Sequence, residues 1–251
     1  MQANIFLFGI IFGSFLNVCI YRLPQDQDVL LKASSCLQCK KKIKWYQNIP
    51  VASYLFLRGR CGYCKHKLDI QYPLVEISTG IIFVYAFNEY SLSLKFALLV
   101  LFLSSLLVIF FTDLKYYLIL DVITFPLTFI AIISSILLTN PFQLTGLESL
   151  MGVAVGFLPL FLLRWFYLTF KKIEAIGLGD AKLMMLLGAW LGIKSILFIL
   201  LVSSVLGVIV GIAIIKFMKK KKDYPIPYGC FLVFATILYL FYGQQFYNYF
   251  L

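Results

Sequence analysis

Apolar runs of about 17–25 residues recur along most of this chain, and such a run is what a helix needs to cross a ~30 Å hydrocarbon core. Eight spans can be placed, at 3–21, 73–88, 94–111, 122–139, 149–167, 180–192, 195–217 and 228–246. The composition agrees. Of 251 residues, 62% are hydrophobic and the mean hydropathy is +0.93, whereas a soluble domain is about half apolar. The expected fold is an all-α polytopic membrane protein with about eight transmembrane helices. Run 3–21 lacks a basic flank and a small-residue cleavage site, so it reads as a retained span. Run 180–192 is short and could instead be a re-entrant element, which would flip everything after it.

The net charge of +11 invites a nucleic-acid reading, but its distribution argues against one. With eight spans, every Lys and Arg except Lys95 and Lys194 falls on one side, together with segment 22–72. That is the positive-inside pattern, so the basic side is expected to be cytoplasmic. The run Lys219–Lys222 reads as a solvated loop facing lipid headgroups.

Segment 22–72 is the one long polar stretch, with ten basic and three acidic residues. It carries Cys36, Cys39, Cys61 and Cys64, as "CLQC", 21 residues, then "CGYC". Two C-x-x-C pairs at this separation read as a tetrathiolate zinc site, closed and therefore structural. Two disulfides are the rival reading, disfavoured by a cytoplasmic location. His66 could replace one thiolate but reads more simply as an exposed histidine. Cys19 and Cys230 lie in apolar runs and read as packing residues. A metal staple would let some fifty residues between two spans hold a defined shape. The expected organisation is 1–21 first span, 22–72 cytoplasmic zinc-binding segment and 73–251 multi-helix membrane domain.

Ionisable residues at a span edge are costly, and each is a functional-site candidate. Glu76, Asp113, Asp121 and Asp180 qualify, all near the basic side. Two carboxylates held close cannot both ionise easily. One can then take a proton from water while the other, protonated, polarises a scissile carbonyl, as in an aspartyl protease. Gly177 and Gly179 before Asp180 would let a substrate backbone approach and supply unusual dihedrals. The competing reading pairs these acids with Lys115 or Lys182 as ordinary ion pairs.

Taken together, these segments resemble the type IV prepilin peptidases, membrane aspartyl proteases of the G-x-G-D class. The segments are "GSFLNVCIYRLP" (13–24), "CLQC", "NIPVASYLFLRGRCGYC" (48–64), "YPLVEISTG" (72–80), "TDLKYYLILD" (112–121), "GLGDAKL" (177–183) and "PIPYGCFL" (225–232). They match through nearly the whole chain and in order. The resemblance implies that Asp113 and Asp180 are the catalytic pair, with Asp121 as runner-up. It implies prepilin or pseudopilin substrates, serving pili, type II secretion or competence, whose basic leader is cut at the cytoplasmic face of the bacterial inner membrane. Members with the full cysteine region also N-methylate the new terminus with S-adenosylmethionine, and the resemblance extends that activity here. Gly59 and Glu76 are then candidates to support it, against a turn into the cysteine knuckle for Gly59 and an ion pair for Glu76.

The chain departs from the family pattern in places. "LILD" lacks a proline usual before Asp121, Cys230 stands where proline is common, and "CLQC" lacks a proline after its first cysteine. These departures bear on local geometry. Two other classes were weighed: a transporter or channel using the acids as an ion relay, and a non-enzymatic zinc-bearing scaffold. Acids at one face and no internal repeat count against the first. The glycines beside Asp180 count against the second. The oligomeric state is left open.

Overall fold

The computed structural model describes residues 1–29, 35–36, 38–172, 177–218 and 225–250. Lys219–Lys222 lies outside the described residues. The chain forms α1 (Gln2–Arg22), the short α2 (Ala52–Phe56), α3 (Gln71–Tyr90), α4 (Leu94–Tyr116) and α5 (Asp121–Ile136). It continues as α6 (Gly146–Phe166), α7 (Leu178–Leu191), α8 (Ile193–Met218) and α9 (Tyr228–Phe250). No strand occurs among the described residues; two isolated bridges, Ser35–Lys42 and Arg60–Lys67, are the extended pairing. Each of the eight expected spans is a helix. Four are long and apolar enough to cross a membrane: Gln2–Gln25, Leu94–Tyr116, Gly146–Lys171 and Ile193–Phe217. The chain divides within α4 into two compact units, Met1–Val108 and Ile109–Leu251.

In Met1–Val108, α1 packs along α3. Gly13 faces the backbone of Glu76, where an added methyl would come 2.7 Å from the Glu76 Cα. Small residues at such crossings replace the hydrophobic effect, which gives no drive between helices in lipid. At the polar end, Asn17 donates to the Tyr72 carbonyl at 3.1 Å and accepts from Gln71 Nε2 at 3.2 Å. Cys36, Cys39, Cys61 and Cys64 belong to this same unit.

In Ile109–Leu251, α7 is the buried centre. Residues Leu183, Met184, Leu186, Leu187, Ala189 and Trp190 are all shielded, which suits a helix that is apolar on every face. At 14 residues and 1.5 Å per residue it is about 21 Å long. It ends at Gly192, whose φ of 77° breaks the helix before α8. Three contacts fix its position. Trp190 Nε1 donates to the Leu127 carbonyl of α5 at 3.1 Å, and Ser149 Oγ donates to the Ala189 carbonyl at 2.8 Å. Gly152 and Gly156 of α6 lie against the backbones of Gly188 and Met184 with no room for a side chain between them.

A methyl at Gly188 would collide with the Gly152 carbonyl. Gly188→Leu is therefore expected to cost more than the ~1–3 kcal/mol typical of overpacking, because backbone must move. The readout is a lowered unfolding temperature in detergent. Gly207→Ala, where an added methyl meets Phe231 and Tyr228 at 3.7 Å, is expected to leave that temperature unchanged.

Candidate active site and cysteine cluster

Asp113 lies in the last turn of α4 and is buried, 5% exposed. Its carboxylate turns to the start of α9. The Cys230 N–H donates to Asp113 Oδ2 at 2.9 Å, and the Gly229 N–H also donates to it. These are unsatisfied first-turn donors at the positive end of a helix dipole, an ordinary anion-binding arrangement. It needs Gly229, since a methyl there would stand 2.8 Å from Asp113 Oδ2. It also uses Cys230 as a backbone donor, which a proline at that position could not be.

Asp180 lies in the first turn of α7, half-buried. Its carboxylate reaches back to accept the Gly177 N–H, the acidic half of a capping box. Asp113 and Asp180 are close enough to interact as charges. Among the described residues neither is paired with a cation. Asp121 behaves differently. Exposed at the first position of α5, it takes Lys182 Nζ at 2.7 Å on both oxygens. The ordinary ion-pair reading thus holds for Asp121, while Asp113 and Asp180 interact with one another as like charges.

The glycines before Asp180 act through space rather than through unusual dihedrals. Gly177 has φ −65° and ψ 133°, open to any residue, but a methyl there would stand 2.7 Å from Asp180 Oδ2. One at Gly179 would stand 3.1 Å from Ile119 Cβ. Ile119 also lies against Gly229, where an added methyl would stand 3.1 Å from its Cδ1, so this one side chain separates the starts of α7 and α9. Sequence reasoning assigned no role to Gly229 or Ile119. Gly229 and Ile119 were visible only as parts of signature segments. Just before "LILD", Tyr117 takes a left-handed turn, φ 55°, and the chain enters α5 through an extended Leu120, where the proline is missing.

The four cysteines come together as expected. All four sulfurs lie within 4.8 Å of one another, with Cys36 and Cys64 Sγ 3.8 Å apart. A tetrahedral ion with sulfurs at ~2.3 Å requires S–S edges of about 3.8 Å, so the cluster fits a zinc site. Among the described residues no disulfide forms, and His66 is outside the cluster. The two knuckles are copies. Cys36 N–H bonds the Lys41 carbonyl, and Cys61 N–H the His66 carbonyl. Lys40 and Lys65, each after its second cysteine, are left-handed at φ 54° and 58°. The repeat is legible as C-x-x-C-K-x-K, at 36–42 and 61–67. N–H groups of Cys64 and Tyr63 pull the Cys61 thiol down to about 6. The His66 N–H lowers Cys64, but burial and the other three thiols outweigh it and push Cys64 up to about 11.

Gly59 and Glu76 serve the turns on either side of α2. Gly59 has φ 65°, and a methyl there would stand 2.9 Å from the Tyr54 hydroxyl, so it makes the turn. Glu76 is buried. It accepts the Val51 N–H at 2.7 Å and the Ser14 hydroxyl, and among the described residues it meets no cation. Val51 is a β-branched residue at φ 59°, a rare conformation that the carboxylate holds in place. At the acid pair, Gly229→Val is expected to destabilise by at least ~1–3 kcal/mol through overpacking against Asp113, seen as a lowered unfolding temperature. Cys230→Ala keeps the N–H donor and is expected to leave that temperature within a few degrees of the parent.

Residues 7–90 match the Bacterial Peptidase A24 N-terminal domain, and residues 100–212 match the Type IV leader peptidase family. Full-length relatives agree. A prepilin leader peptidase/N-methyltransferase of Legionella pneumophila is 34% identical over 100% of this chain and 94% of its own. Its counterpart in Pseudomonas putida is 32% identical over 95% and 90%, and that in Pseudomonas aeruginosa is 30% identical over 95% and 89%. No solved structure matches the chain at a significant level. The first matched stretch contains the four cysteines, the second contains Asp113 and Asp180, and the chain belongs to the type IV leader peptidase family.

Proposed function

We propose that this protein is a membrane aspartyl endopeptidase that removes the basic leader of type IV prepilins or pseudopilins, and that it N-methylates the new terminus. Asp113 and Asp180 are assigned as the catalytic pair. The observation that carries this reading is two carboxylates on different helices, close enough to interact as charges, each held by a helix N-terminal N–H, with no cation neutralising either among the described residues. Such a pair shares one proton. The ionised member takes a proton from water as it attacks, while the protonated member hydrogen-bonds the scissile carbonyl and stabilises the developing oxyanion. Residues 73–251 are assigned to cleavage and 22–72 to methylation. The site is assigned to the cytoplasmic face of the bacterial inner membrane, on the positive-inside distribution of Lys and Arg.

Asp113→Asn and Asp180→Asn are each expected to lower cleavage of a pilin-like precursor by about 10²–10⁴-fold, the usual contribution of a positioned acid or base, while the protein still inserts. Asp121→Asn, which removes an exposed ion pair, is expected to stay within severalfold of the parent rate. Loss of a leader-sized mass from the precursor is the readout. Wild-type cleavage by either of the first two variants overturns the assignment.

Zinc is assigned to Cys36, Cys39, Cys61 and Cys64, where it would tie the two knuckles and take no part in hydrolysis. S-adenosylmethionine would supply the methyl group; Gly59 and Glu76 are assigned a supporting part through the turns they hold on either side of α2, and no step of methyl transfer is assigned to them. Purified protein is expected to carry one zinc per chain by atomic emission, lost in Cys36→Ser or Cys61→Ser. Those variants are expected to lose more methylation than cleavage. Thiolate ligands compete with protons, so zinc binding is expected to weaken as pH falls. The fall steepens below about 6, where Cys61 also takes up a proton.

A further inference from the structure

Residues 45–56 join the cysteine knuckles within a polar segment, yet they carry five uncovered apolar side chains. Trp45 is 81% and Phe56 88% exposed, with Tyr46, Ile49 and Leu55 also open. The segment lies alongside α1. With Leu7, Ile10 and Ile11 it lines an open groove of about 580 Å³, and Leu7 and Ile11 are themselves exposed on a helix apolar enough to span a membrane. Depth can be read along α1. Asn17 sits in the polar network with Gln71 and Tyr72 that marks its hydrophilic end. Ile11 is six residues away, about 9 Å deeper at 1.5 Å per residue.

Non-helical backbone at that depth is tolerated when its polar groups find partners, and several of this segment's do. Gln47, Ala52, Ser53 and Leu55 each donate their N–H to a carbonyl of residues 44–51. The Val51 N–H, at the tip of the turn, is taken by the buried Glu76 carboxylate. The charges stand outside the apolar stretch. Lys40, Lys41, Lys42 and Lys44 precede Trp45, and Arg58 and Arg60 follow Phe56, all exposed. An aromatic-rich apolar segment flanked by cations matches the interface of an anionic bilayer.

We propose that residues 45–56 form a re-entrant element immersed in the leaflet that faces the cysteine knuckles, with a phospholipid acyl chain in the groove against Leu7 and Ile11 and its headgroup toward the flanking lysines and arginines. Glu76 positions this element by holding the Val51 amide. The proposal stands apart from the catalytic assignment, since its test needs no cleavage.

The full chain is reconstituted in phosphatidylglycerol-containing vesicles with brominated acyl chains, and the Trp45 emission is taken as the difference between parent and Trp45→Phe. Most of that emission is expected to be lost to bromine quenching; emission that is unquenched by bromine but quenched by aqueous acrylamide overturns the proposal. In a second arm, benzoylphenylalanine replaces Phe56 and is photolysed. An adduct with the mass of one phospholipid is expected. An adduct to a second copy of the chain or to an added pilin-like precursor in its place overturns the proposal, as does no adduct together with unquenched Trp45.

Discussion

A carboxylate in a lipid-facing bundle is tolerated only when something in the bundle replaces its water. Here that replacement is the first turn of a helix. The start of α9 meets Asp113, and Asp180 caps the start of its own α7. Much of the unit follows from that requirement. The end of α4 must meet the start of α9 without an intervening side chain, which makes Gly229 a matter of space. The start of α7 must be held at one height, which the side-chain-free crossing with α6 and the Trp190 bond to α5 provide. Because donors from rigid helix ends need no reorganisation, the acids stay oriented without a nearby cation that would quench them.

The third acid shows how one residue changes the outcome. Asp121 begins a helix at the same end of the unit, yet Lys182, two residues past Asp180, takes both of its oxygens. The pair ties the start of α5 to the start of α7. One G-D-A-K stretch thus contributes an uncompensated carboxylate and a compensating cation on successive faces of a helix.

Much of this was legible in the sequence, because its main elements are local patterns. Eight apolar runs became helices, since apolarity over that length allows little else in lipid. The cysteine spacing gave the cluster; that the two knuckles turn alike was recognised only with their backbone bonds in view. What could not be read depends on contacts between distant segments. That Gly229 and Gly179 both meet Ile119 follows from where three helix ends converge. That Glu76 holds Val51, rather than a cation, follows from a turn with no regular pattern. The glycines beside Asp180 were expected to admit a substrate backbone and to supply unusual dihedrals; Gly177 has ordinary dihedrals, and the room the two leave is taken by the Asp180 carboxylate and Ile119, which is visible only once the atoms facing them are known.

The length of α7 has a consequence for the bilayer itself. A helix of about 21 Å is roughly 9 Å shorter than an average hydrocarbon core, and no single tilt can make it longer. Hydrophobic mismatch of this sign is relieved by thinning of the membrane beside the protein or by polar groups reaching inward. Because α7 is enclosed by other helices rather than by lipid, the second route applies: its short length leaves room at its tip for polar groups to reach inward. A helical substrate whose polar leader ends at the membrane surface would then meet Asp180 while staying in the membrane.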